Sequence, residues 1–377
     1  MRIAILTEFC KPYFNGGGEL RYHEIARRLV KKGHKVDLIC CRFKDSPKKE
    51  VIDGINIYHV GPLIKRPPKR SVFDFLYYMW ASFFFLLKRR YEIIDSNTYF
   101  PLIPTFLIGK LKGIPTIATI NILIGDWKED VYNATIAKYL ERFLFKLPFT
   151  RVLTVSQYAK KELIKRFRVR PSRISVIYNG VDLDFINSIK VKKQNKKTIV
   201  YVGRLVWFKH IEDLVEAVAI LKKEIKDIKL KIVGNGTKMG VLKRKVEELD
   251  LTKNIKILGK KNCQQTIRHI KESSLLVLPS TKDTFGMVLA EANAAGKPVI
   301  AYGAGGALDV IVNKKNGYLV KPRNVVELSQ KIKKVLLDPS LCKKMGQEGK
   351  KRSEEKFNWD IIAEEIEREY ENCKRSK

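Results

Sequence analysis

A chain of 377 residues, 45% of them hydrophobic, exceeds one ordinary domain and suits a globular protein of two, each large enough to bury its own core. The formal charge of +34 implies anionic partners, which can be nucleic acid, acidic phospholipid or sugar phosphates; because the basic residues are spread along the chain, a basic tail is excluded. Much of the charge can equally be solvated lysine surface, and the richness in Lys, Ile and Glu with few Met and His would also suit a heat-adapted protein.

Met1-Arg2 leads directly into an apolar strand, Ile3–Leu6, leaving no charged-then-apolar signal segment, so a cytoplasmic protein is expected. A loop with Asn15-Gly16-Gly17-Gly18 follows, then a helix from about Glu19 to Lys32, a Gly33 stop and a strand at Val36–Cys40, which together make one βαβ unit. The glycines would let backbone approach a phosphate or an acceptor closely, though such a loop is as readily a plain turn. Between Lys69-Arg70 and Lys88-Arg89-Arg90 lies an apolar, aromatic run from Phe73 to Leu87. It contains Asp74 and Ser82 and is short of the roughly twenty residues of a membrane span. A buried helix is its simplest reading; contact with an anionic bilayer surface is the alternative.

The polar run from Lys190 to Lys197 has the look of an interdomain linker. A second series then starts with strand Thr198–Val202. It continues through helix Ile211–Lys223, strand Lys229–Val233, helix Lys238–Leu249, and strands Ile255–Leu258 and Leu275–Leu278. Asn358–Lys377 reads as a charged helix with one apolar face, formed by Trp359, Ile361, Ile362, Ile366 and Tyr370. Alternating strands and amphipathic helices indicate an α/β protein with parallel sheets covered on both faces. The expected domains are residues 1–187, residues 188–357, and a C-terminal helix at 358–377.

Chemistry concentrates at Asp283-Thr284-Phe285-Gly286-Met287-Val288-Leu289-Ala290-Glu291, two carboxylates with seven residues between them across a strand-to-helix turn. Gly286 opens a helix whose first amides are unpaired and attract a phosphate. Glu291, about one and a half turns further in, can reach a ribose whose diphosphate sits on that helix end, while Asp283 precedes the turn and can face a sugar. Taken alone, the pair is as well explained by acids favouring a helix N-terminus. Gly203-Arg204 and Lys209 add an arginine and a lysine five positions apart after strand Thr198–Val202, at the sheet edge where α/β folds bind ligands. Arg204 can fork onto a diphosphate and Lys209 supplies a mobile point charge. Gly303-Ala304-Gly305-Gly306 offers either another close backbone approach or a loop tightened for packing.

With these motifs the chain resembles glycosyltransferases of family 4, the retaining enzymes with the two-domain GT-B fold. The matching segments are Gly16-Gly17-Gly18-Glu19 with Lys32-Gly33-His34-Lys35-Val36; Val155-Ser156; Asn179-Gly180-Val181-Asp182; Val202-Gly203-Arg204 with Lys209; Val233-Gly234-Asn235-Gly236; and Leu278-Pro279-Ser280 through Phe285-Gly286 to Glu291. The resemblance implies two doubly wound Rossmann-like domains with parallel sheets facing a cleft, an acceptor-binding first domain, a donor-binding second domain and a final helix that crosses back to the first. It implies that Arg204, Lys209 and backbone near Gly286, Met287 and Val288 grip the diphosphate, that Glu291 takes the ribose, and that Asp283 touches the donor sugar. Gly17, Gly18 and Gly203 join the donor site as points of close backbone approach.

Four positions depart from the family pattern: Asp283 and Asp309 replace glutamates, His210 a glycine, and Asn121 a histidine near the reacting sugar. Asn121 can hydrogen-bond a hydroxyl but cannot act as a base. Asp182-Leu183-Asp184 has the form of a metal motif from the other large glycosyltransferase fold, yet it matches ordinary family sequence here. The cysteines show no C-x-x-C pair and no histidine at zinc spacing, and His23, His34, His59, His210 and His269 form no evident ligand cluster, so neither a metal nor another cofactor is expected. The expected reaction is metal-independent, retaining transfer of a sugar from a nucleoside-diphosphate donor, UDP- or GDP-linked, to a hydroxyl of a sugar, lipid-linked saccharide or phospholipid. A peripheral place on the cytoplasmic membrane face would use the basic charge. The rivals are a GT-B sugar-nucleotide epimerase and a basic nucleic-acid-binding protein; no nucleic-acid-reading motif accompanies the charge, so no specific nucleic acid is expected as partner.

Overall fold

The computed structural model describes residues 1–14, 16–65, 71–97, 99–121, 139, 141–191 and 197–375. The chain forms two compact units, Met1–Asn179 with Trp359–Lys377, and Gly180–Asn358. The division precedes the polar run at 190–197, of which residues 192–196 lie outside the described residues.

The first unit is built on a sheet of eight described strands: β1 Arg2–Leu6, β2 Lys35–Phe43, β3 Lys49–Ile52, β4 Ile55–Ile64, β5 Ile93–Asn97, β6 Thr116–Ile120, β7 Arg151–Thr154 and β8 Ile174–Val176. They lie in the order β3-β4-β2-β1-β5-β6-β7-β8. Only the edge strand β3 runs antiparallel to its neighbour, joined to β4 by Asp53-Gly54, both with positive φ, as a tight hairpin demands. β1 is buried on both faces from Ile3 to Leu6, which is why it reads as an unbroken apolar run. The final helix, Trp359–Arg375, belongs to this unit. Its apolar face buries Trp359, Ile362, Ile366 and Tyr370, and Tyr370 donates to Asp95 Oδ2 at 2.6 Å. Its polar edge meets the helix Gly17–Lys31 and the residues after it through Arg28–Asp360 at 2.5 Å and Lys32–Glu367 at 2.6 Å.

The second unit has six described strands, all parallel: β9 Thr198–Val202, β10 Lys229–Val233, β11 Ile255–Gly259, β12 Leu275–Leu278, β13 Val299–Tyr302 and β14 Gly317–Val320. Their order, β11-β10-β9-β12-β13-β14, is the doubly wound one, with its switch point between β9 and β12. In the first unit the corresponding switch lies between β1 and β5.

The aromatic run differs from its simplest reading. Ser71 and Asp74 form a capping box that starts a helix at Val72–Leu87, but this helix buries only one side, through Tyr78, Ser82 and Leu86. Phe73, Leu76, Tyr77, Trp80 and Phe84, spaced three or four apart, form an exposed stripe in which Phe73 is 81% and Trp80 60% accessible. Among the described residues no helix is long and apolar enough to cross a membrane.

Candidate active site

In the second unit the candidate residues gather at the switch point. β9 runs into Gly203, whose amide bonds to Val233 O at 3.0 Å. A side chain at Gly234 would put its first carbon 1.8 Å from Gly203 O, and one at Gly236 would meet Leu205 O at 2.3 Å. Glycine at both positions lets the two loops interlock, through Leu205 N to Asn235 O and Lys238 N to Leu205 O, each 2.9 Å. Arg204 therefore projects from a fixed backbone, its carbonyl accepting from Tyr201 Oη at 2.9 Å, and its guanidinium is exposed, 6.0 Å from the Phe208 ring centre.

Lys209 sits in the turn Trp207–Lys209 and is only 8% accessible. Its ammonium donates to both oxygens of Asp283, at 2.6 and 2.7 Å. The pair joins the loop after β9 to the loop after β12, so this lysine is not surface charge. The Asp283 segment is itself held from behind. Gly306 N donates to Asp283 O at 2.7 Å, and a side chain at Gly305 would stand 2.4 Å from that same oxygen, while one at Gly306 would stand 2.3 Å from Phe285 Cα. Gly305 and Gly306 thus serve packing, and the backbone they approach is that of Asp283–Phe285.

Gly286 has φ +87°, a left-handed conformation suited to glycine, and opens the helix Met287–Ala294 with no side-chain cap. The first turn at Met287 and Val288 is thereby without a side-chain cap, an arrangement able to take an anion. Glu291 follows on this helix, half-buried and with no hydrogen-bond or ion-pair partner for its carboxyl among the described residues. Burial without a compensating cation pushes it up to about 7. Such a group lacks hydroxyl or cationic neighbours that would restore its charge.

The first unit brings together Gly18, Asn97 and Asn121. Asn97 ends β5, Asn121 follows β6, and Asn121 Nδ2 donates to Asn97 Oδ1 at 3.1 Å. A side chain at Gly18 would stand 3.1 Å from Asn97 Nδ2 and 3.8 Å from Asn121 Nδ2. Gly17 and Gly18 are not loop residues but the first turn of the helix Gly17–Lys31, with Gly16 as its N-cap, and Gly17 is exposed with nothing within 4 Å of where a side chain would begin. Asn97 escaped the sequence reading, which had not identified β5. The rule that ligands meet the carboxyl ends of strands at a switch point would have found it.

Residues 184–352 match the family described as Glycosyl transferases group 1, and residues 15–185 match Glycosyltransferase Family 4. An uncharacterized glycosyltransferase of Methanocaldococcus jannaschii is 30% identical over 97% of this chain and 96% of its own length. The chain belongs to glycosyltransferase family 4. Its fold is GT-B: a sucrose-phosphate synthase of Thermosynechococcus elongatus superposes with a TM-score of 0.83 at 20% identity, covering 100% of both chains. Anabaena HepE, solved in complex with UDP-glucose, does so with a TM-score of 0.75 at 19% identity, covering 99% of this chain and 100% of its own.

Within this glycosyltransferase the departure at His210 acquires a local reason. His210 has φ +45°, the left-handed conformation that glycine adopts at least cost, and is held by Thr281 Oγ1 at 3.0 Å and by Arg323 at 2.8 Å. Burial, with Arg323 beside it, lowers its pKa. Asp182 caps the helix Leu183–Ser188, its Oδ1 accepting from Phe185 N at 2.9 Å, so that carboxylate has a structural occupation. His59 lies against Cys10 and Cys40, a grouping that could hold a metal ion and that no sequence spacing signals because the three arrive from separate elements.

Proposed function

We propose that this glycosyltransferase moves a sugar from a UDP- or GDP-linked donor to an acceptor hydroxyl, with retention at the anomeric carbon and without a metal ion in the transfer. The observation that carries the reading is the partly buried Lys209–Asp283 pair joining the two loops of the second unit's switch point, beside Arg204 and the uncapped helix at Gly286. A diphosphate leaving group needs its developing negative charge neutralised, and two cations with a helix N-terminus supply what a divalent ion otherwise would. Backbone at Gly203, Gly286, Met287 and Val288 approaches the phosphates, Glu291 accepts from the ribose hydroxyls, and Asp283 serves the donor sugar while holding Lys209 in place. As the family resemblance implies, the departing phosphate accepts the proton of the acceptor hydroxyl on the same face, which gives retention; Asn121 can hydrogen-bond a hydroxyl but takes no proton. The UDP-glucose bound to Anabaena HepE makes that nucleotide sugar the first donor to try.

Nucleoside-diphosphate release should proceed equally with and without added Mg²⁺ or Mn²⁺, and Lys209→Ala or Arg204→Ala should each lower turnover by more than about tenfold. Unchanged rates in both variants would refute the assignment. The anomeric proton coupling of the product, read by NMR, decides retention.

The exposed stripe on Val72–Leu87, with Lys88, Arg89 and Arg90 at its end, favours an acceptor on an anionic bilayer, a lipid-linked saccharide or a phospholipid, with the enzyme lying peripherally on the cytoplasmic face. Co-sedimentation with phosphatidylglycerol vesicles should exceed that with phosphatidylcholine vesicles and fall in Trp80→Ser. Indifference to lipid charge would exclude it.

A further inference from the structure

Cys10, Cys40 and His59 converge in the core of the first unit from the loop after β1, from β2 and from β4, at 2%, 0% and 4% exposure. The two sulfurs are 3.0 Å apart, Cys40 Sγ is 3.4 Å from His59 Nδ1, and the three ligand atoms lie within 4.8 Å of one another. The other ring nitrogen, Nε2, is 2.6 Å from Glu50 Oε1 on β3, and Tyr13 Oη donates to the second Glu50 oxygen at 3.4 Å. Tyr13 stacks on Phe43 with ring centres 5.0 Å apart and meets His59 edge-on, so aromatic surface encloses the cluster.

The donor atoms of this cluster converge as ligands of a cation would. Glu50 engages Nε2, which leaves Nδ1 as the ring nitrogen that faces Cys40 Sγ. The Cys41 carbonyl oxygen lies 3.1 Å from Nδ1 and adds an oxygen to the same spot. Two sulfurs, an imidazole nitrogen and a carbonyl oxygen therefore face one buried place, a donor set that suits a soft cation. We propose that Cys10, Cys40 and His59 bind a soft divalent cation of the zinc class. Two thiolates neutralise its charge, which removes the main cost of burying it, and each thiol releases its proton on binding. Glu50 is the outer carboxylate that fixes the ring. Ligands about 2.1–2.3 Å from a tetrahedral ion stand roughly 3.5–3.8 Å apart, so the sulfurs need open by less than about 1 Å. Because Cys10 lies between β1 and the helix at Gly17, and Phe14 N bonds to Cys10 O at 2.9 Å, the ion would clip the segment leading to Gly17 and Gly18 onto β2 and β4. Its role is structural, apart from the donor chemistry of the second unit.

The test uses the full chain, reduced, stripped of metal and titrated with Co²⁺ without oxygen. Thiolate-to-cobalt absorption and tetrahedral d–d bands should saturate at a single equivalent and be displaced by Zn²⁺, which should also raise the melting temperature. Cys10→Ser should abolish the thiolate absorption, whereas Cys263→Ser, at an exposed cysteine outside the cluster, should keep it. Glu50→Gln retains all three ligands and should weaken Zn²⁺ binding by about 10–100-fold, which keeps the proposal testable if Cys10→Ser does not fold. Absence of the bands in the folded chain overturns the proposal, as does their survival in Cys10→Ser, or a Cys10–Cys40 disulfide recovered by peptide mapping without reductant.

Discussion

Both units place their candidate residues at the same topological position and fill it with opposite chemistry. At the switch point of the second unit stand four ionisable side chains, Arg204, Lys209, Asp283 and Glu291, the last pushed up to about 7 by burial. At that of the first stand Gly18, Asn97 and Asn121, a glycine and two amides with no charge to contribute. A diphosphate demands charge from its host, whereas a hydroxyl-bearing acceptor needs donors and acceptors in fixed positions. The fold supplies a place, and on the proposed function the residue types at that place would separate the two tasks.

Glycine offers the hardest way to break this contrast, because the glycines of the two units have different reasons to be there. Gly234→Ala would drive a carbon to 1.8 Å from Gly203 O and part the loops that hold Arg204. It should cost about 3 kcal/mol and abolish nucleotide binding in calorimetry. Gly17→Ala meets nothing within 4 Å and lies in a helical first turn, so its melting temperature should be unchanged or slightly raised. Its turnover should nonetheless fall several-fold, because a methyl group there displaces any ligand that approaches the backbone. Equal damage to stability at both positions would mean that Gly17 is only a structural residue.

How well each site could be read from sequence follows from the same contrast. Strands β9 to β12 of the second unit were legible because short apolar runs such as Leu275–Leu278 are buried on both faces and bounded by proline or serine, whereas β14 was not. Lys209 was legible as a cation five residues beyond Arg204, but its bond to Asp283 was not, since 74 residues separate them and only the adjacency of β9 and β12 brings them together. Asn97 carries no signal beyond its place at the end of β5. The zinc-like cluster was invisible for a stronger reason: Cys10, Cys40 and His59 obey no spacing rule, and parallel pairing of β1 with β2 and of β2 with β4 creates their proximity. The exposed face of Val72–Leu87 was misjudged because an aromatic run looks the same in sequence whether one side or all sides are covered.

The subtler test of the contrast is protonation, since only one of the two places can titrate near neutrality. Glu291 is raised from the ordinary glutamate range to about 7, so between the two values the folded chain keeps a proton that the unfolded chain has lost. Stability contributed at this site is therefore present at low pH, declines as pH rises through that window, and levels off above it. Glu291→Gln never acquires the buried charge and should be more stable than the parent above pH 7, by about 1–2 kcal/mol once partial exposure is allowed for, and equal to it well below the window. Binding should run the other way. Ribose hydroxyls donate to the carboxylate and favour its charged form, so UDP should bind more tightly as pH rises through about 7, and Glu291→Gln should lose that slope along with affinity. Asn121→Ala should lower turnover while leaving the midpoint of the pH profile in place, because neither Asn121 nor Asn97 takes up a proton. A midpoint that moved in Asn121→Ala but stayed in Glu291→Gln would assign the titrating group to the first unit and invert the contrast.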